Sequence, residues 1–107
     1  MLLVIDYDKC NLQLYSRLDG KLLSTSHRLE YRPIGVCLIS KTEVAVCQWE
    51  SIVIVSFKSI DDVKLVKTLN VSTGFYSCDS VVKLNSDKLV SGLNYCNLCW
   101  GVLSITD

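Results

Sequence analysis

The chain has 107 residues, half of them apolar, and eleven basic residues balance eleven acidic ones. That size suits one domain or part of a larger one, and the apolar content supports a packed core rather than a disordered chain. Neutrality removes any long-range pull on nucleic acid or an anionic membrane, and no apolar run reaches the ~18–20 residues of a membrane span.

The apolar start, Met1–Ile5, stops at Asp6 and carries no basic leading segment. The expectation is therefore a cytoplasmic chain without a secretion signal. Short runs of Val, Ile, Leu and Tyr then recur between turn residues, which predicts a succession of strands. They fall at Leu2–Asp6, Asn11–Ser16, Lys21–His27, Ile34–Ile39, Glu43–Gln48, Ile52–Phe57, Val63–Val71, Asp79–Leu84, Lys88–Gly92 and Trp100–Ile105. Asp19-Gly20 signals a hairpin, because a tight turn needs positive φ. Ser40-Lys41-Thr42 and Asn85-Ser86-Asp87 are polar enough for hairpin tips, and Pro33 stands just before a strand, where no ladder donor is lost. No window carries a helical period of useful length.

Six cysteines in a short chain raise the question of a disulfide scaffold. Cys37 and Cys47 lie inside apolar strand patterns, where a thiol acts as a small hydrophobe, so reduced and mostly buried cysteines are expected.

The strongest pattern is an internal repeat. Residues Pro33–Cys47 align without a gap on Cys78–Gly92, 45 residues later: Val36 falls on Val81, Ile39 on Leu84, Val44 on Leu89 and Ala45 on Val90. A further partial copy sets Leu3-Val4-Ile5 on Val44-Ala45-Val46, 41 residues apart. Periods of this size with four strands each match β-propeller blades, which run about 40–50 residues. With blade strands lettered a to d from the ring centre outward, the chain reads b-c-d, a-b-c-d, a-b-c. The expected fold is thus all-β, with antiparallel four-stranded blades. About two and a half blades form one partial propeller domain over 1–107, in pieces of about 1–32, 33–77 and 78–107. Open edges in such an array invite association, so the chain is expected to be a piece of a longer protein, the alternatives being a different packing of its sheets or completion by self-association.

Leu3-Val4-Ile5-Asp6, then Asn11-Leu12-Gln13-Leu14-Tyr15, Asp19-Gly20-Lys21 and Arg32-Pro33-Ile34-Gly35-Val36 resemble an NHL-type repeat. The likeness extends to the propeller-like C-terminal domains of tripartite-motif proteins. It is best over Leu2–Cys47 and fades after Gly92. The second copy has Cys47 in place of Asp6 and Asp61-Asp62 in place of Asp19-Gly20, while the third has Asp79-Ser80-Val81 in place of Ile34-Gly35-Val36. The resemblance implies a non-enzymatic scaffold that recognises another protein or RNA, in some members as the substrate-reading end of a ubiquitin ligase. It implies no cofactor.

Blade geometry sorts the loops. The b–c and d–a loops leave one face of the disc, the a–b and c–d loops the other. Six of the nine aromatics (Tyr7, Tyr31, Trp49, Phe75, Tyr76 and Tyr95) fall on the first face. Aromatics and arginine anchor interfaces, so Tyr7, Tyr31, Arg32, Trp49, Tyr76 and Tyr95 are the candidate partner-binding residues. The competing reading is that such rings pack between neighbouring blades.

RNA binding is a weaker possibility, because Lys9, Arg28 and Arg32 on that face are offset by Asp8, Glu30 and Glu50. Cys96-Asn97-Leu98-Cys99 has the spacing of zinc knuckles and redox pairs, against which stands ordinary strand packing. The single histidine, His27, supports no catalytic arrangement, and Asp6, Asp8, Asp61 and Asp62 read as turn formers.

Overall fold

The computed structural model describes residues 2–48, 51–70, 78–93 and 100–105. These residues form strands and turns throughout, with no helix. Ten strands run β1 (Leu2–Asp6), β2 (Asn11–Leu18), β3 (Lys21–Arg28), β4 (Pro33–Ser40), β5 (Glu43–Gln48), β6 (Ser51–Ser59), β7 (Asp62–Asn70), β8 (Cys78–Lys83), β9 (Lys88–Leu93) and β10 (Trp100–Ser104). They build three antiparallel meanders in chain order: β1-β2-β3, β4-β5-β6-β7 and β8-β9-β10.

The turns follow from the residues at them. Asp19 and Gly20 have φ of 51° and 78°, the paired positive values of a type I′ hairpin between Leu18 and Lys21. At the tip between β8 and β9, Asn85 Oδ1 accepts from the amides of Asp87 and Lys88, both at 2.9 Å. Pro33 is the first residue of β4 and pairs with Gln48, one residue earlier than the sequence placed the strand.

The 45-residue repeat holds in the ladders themselves. Val36, Cys37 and Leu38 pair with Val46, Ala45 and Val44, and Val81, Val82 and Lys83 pair with Ser91, Val90 and Leu89. Even the irregularity recurs: a register shift lies between Pro33 and Gly35 and again between Cys78 and Ser80. Bulges re-aim a strand at a fixed point, so the same bulge in both copies gives the two sheets the same bend.

The partial copy at the start is out of phase by one. Leu3 and Ile5 pack onto the cluster containing Val44 and Val46 from the neighbouring sheet, so they occupy the face that Ala45 and Cys47 hold in theirs. The structural offset is Leu3 to Ala45, not Leu3 to Val44. A one-residue slip exchanges the two faces of a strand. Both triplets are apolar at every position, so they carry no phase signal.

The middle sheet is covered on both sides. One core joins Leu12 and Leu14 of β2 to Val44 and Val46 of β5 and to Val53, Val55 and Phe57 of β6. The other joins Ala45, Cys47, Ile52 and Ile54 on the opposite face to Val81 of β8 and Leu89 of β9. This double burial explains why β5 and β6 read as unbroken apolar runs whereas β2 alternates. Two lysines add ties across the second junction: Lys83 Nζ donates to the Ile39 carbonyl at 2.7 Å, and Lys67 Nζ to the Ile105 carbonyl at 2.8 Å.

Candidate functional site

The candidate site begins with the β1–β2 turn. Asp6 Oδ1 accepts the Lys9 amide at 3.1 Å, and Cys10 turns the chain at φ 55°. A left-handed non-glycine residue costs about 1–2 kcal/mol, which neighbouring contacts must offset. Here the Leu29 amide donates to the Cys10 carbonyl at 2.8 Å, and the Leu29 side chain is buried in the first core. The turn is thereby fastened to the link between β3 and β4.

That link carries Tyr31 and Arg32. The Arg32 guanidinium lies 5.0 Å from the centre of the Tyr7 ring, a cation–π stack at the surface. Its pKa moves up from an already high value, chiefly through Tyr7 and next through Cys10, so the charge is permanent. Tyr7 is 52% exposed and Tyr31 45% exposed. Tyr7 and Arg32 thus meet at one end of the first meander, with Tyr31 next to Arg32 in the chain, and both rings are open rather than tucked into the core. Trp49, Tyr76 and Tyr95 lie outside the described residues, as do Cys96 and Cys99.

Beneath this end, a small cavity of about 60 Å³ is lined by residues including His27, Glu30, Gln48 and Thr68. Gln48 is buried, and its Nε2 donates to Ser51 Oγ at 3.0 Å, closing the end of the β5–β6 pair. The sequence drew no attention to Gln48, since a polar residue at the end of a strand ordinarily faces water.

The cysteines within reach behave as small hydrophobes. Cys47 is buried, Cys10 and Cys37 are half-buried, and none of the three is joined in a disulfide. Burial pushes the Cys37 thiol pKa up against the smaller opposing pull of the Ala45 backbone and Lys83. Among the described residues no three His, Cys, Asp or Glu side chains gather where they would hold a metal, and no helix is long and apolar enough to cross a membrane.

Comparison with known proteins returned no matching family model, no matching curated protein and no matching solved structure.

Proposed function

We propose that this chain is a recognition module that binds another protein without catalysing a reaction, built from NHL-like propeller blades. The three stacked meanders, with strand counts of three, four and three, support the partial-propeller reading b-c-d, a-b-c-d, a-b-c. So does the matching of ladder register and bulge 45 residues apart. The observation that carries the binding reading is the exposed Arg32–Tyr7 stack beside exposed Tyr31. A flat pre-ordered cation–aromatic surface can be covered by a partner at small entropic cost. The acidic neighbours Asp8 and Glu30 offset Lys9 and Arg28, so the site favours a protein surface over a phosphate backbone.

The test compares two variants of the chain in cells, with proximity labelling as the readout. One carries Tyr7→Ala, Tyr31→Ala and Arg32→Ala; the other carries Lys41→Ala and Asp61→Ala at the opposite loop end. Loss of the labelled partner in the first variant alone is expected. Equal labelling by both, with both folded, removes the site. Salt-sensitive binding of an RNA oligonucleotide by the parent chain would instead favour the RNA reading.

A further inference from the structure

We propose that the cavity beside Gln48 takes a primary ammonium group, the tip of a lysine side chain from a partner protein. The inference rests on the protein-recognition reading and adds to it the chemistry of one partner residue. It uses none of Tyr7, Tyr31 or Arg32, so the two sites can be tested apart.

The cavity lies between the first two sheets. Strand β3 and the link after it supply His27, Arg28 and Glu30, while β5 supplies Gln48 and β7 supplies Thr68. Its volume of about 60 Å³ compares with roughly 30 Å³ for a water molecule in the liquid, so it admits about two or three non-hydrogen atoms. Both walls are held before anything binds, which lowers the ordering cost of binding. The Leu29 amide is tied to the Cys10 carbonyl at 2.8 Å, and Gln48 pairs with Ser51 in the β5–β6 ladder.

Hydrogen-bonding chemistry selects the occupant. Gln48 is 2% exposed, and its Nε2 is committed to Ser51 Oγ at 3.0 Å. Its Oε1 is buried and has no hydrogen-bond partner among the described residues, a costly state for an acceptor. The Glu30 carboxylate can only accept, and the Thr68 hydroxyl and a neutral His27 ring can accept as well. Arg28 is an obligate donor, but it is exposed, and its long side chain carries the charge to water. Acceptors outnumber donors, so the occupant must donate. An ammonium offers three N–H donors on one small atom, and Glu30 balances its charge. A carboxylate or phosphate would set acceptor against acceptor. A guanidinium, with four non-hydrogen atoms, exceeds the space.

The experiment titrates the full chain with ethylammonium chloride at fixed ionic strength and follows the backbone amides of Leu29 and Thr68 by NMR. A saturable shift with a Kd on the order of millimolar is expected, the strength open to so small a ligand. Ethanol, of the same size but uncharged and with a single donor, should bind about tenfold more weakly. Gln48→Met, close in volume but without the acceptor, should weaken ethylammonium about tenfold. Should that variant unfold, Glu30→Gln at the surface serves instead and should weaken it about two- to fivefold. A capped Gly-Lys-Gly peptide should shift the same amides, and acetylation of its lysine should abolish the shift. Tyr7→Ala should change none of this, so failure here and failure of the loop-end labelling test are distinguishable. Absence of a saturable shift, ethanol matching ethylammonium as in a cavity that holds only water, or indifference to both variants overturns the proposal. Binding of ethylammonium without binding of the lysine peptide overturns the protein source.

Discussion

The Arg32 guanidinium stacks 5.0 Å over the Tyr7 ring, joining two links that are 25 residues apart in the chain. The contact depends on the left-handed Cys10 and its tether to Leu29, which bring the β1–β2 turn against the β3–β4 link. Replacing Arg32 with Ala should shift the Tyr7 ring resonances in an NMR spectrum while leaving Tm nearly unchanged, because the stack is at the surface. Arg32→Lys should keep the charge yet change the Tyr7 resonances nearly as much as Arg32→Ala does, since a lysine offers no flat face to stack on the ring.

The β2–β3 hairpin makes a second prediction. Gly20 has φ 78° and open space around its missing Cβ, so any cost of a side chain there is backbone strain alone. Gly20→Ala should destabilise by about 1 kcal/mol, or roughly 4–8 °C in Tm, while Asp19→Asn should be near neutral. Differential scanning calorimetry checks both.

Burial ranks the strands. Ile54 is 2% exposed between two sheets, whereas Leu22 on β3 is 64% exposed. Ile54→Ala should cost about 2–5 kcal/mol. Leu22→Ala should stay within about 0.5 kcal/mol. Urea titration distinguishes them.

Cys37 supplies a pH dependence. Its folded pKa is raised by burial, so the folded state keeps the thiol proton where the unfolded chain releases it. That contribution is fully present below the unfolded value of about 8.5 and is lost as pH rises through the folded value. Cys37→Val should therefore lose less stability than the parent between neutral pH and alkaline pH, measured by urea titration across that range.

Much of this fold was legible because the strand and turn signals agree. Val44–Cys47 and Ile52–Val55 are unbroken apolar runs, and they are the strands buried on both faces. Asp19-Gly20 named its own turn. Strand β2 ran two residues longer than expected, because Arg17 and Leu18 pair through backbone groups that are indifferent to side-chain polarity, whereas β8 and β10 end one residue earlier than expected. The phase of β1 was not legible, since Leu-Val-Ile is apolar throughout. At the loop end the sequence grouped Tyr7 with Arg32 by connectivity. Their contact needed Cys10 in a conformation that residue type does not announce.

Amide hydrogen exchange under native conditions tests the stacked-sheet account most directly. With both faces of the middle sheet shielded, the amides of β5 and β6 should exchange slowest, well behind those of β3, whose residues are mostly exposed. Exchange in β5 and β6 as fast as in β3 would contradict the account.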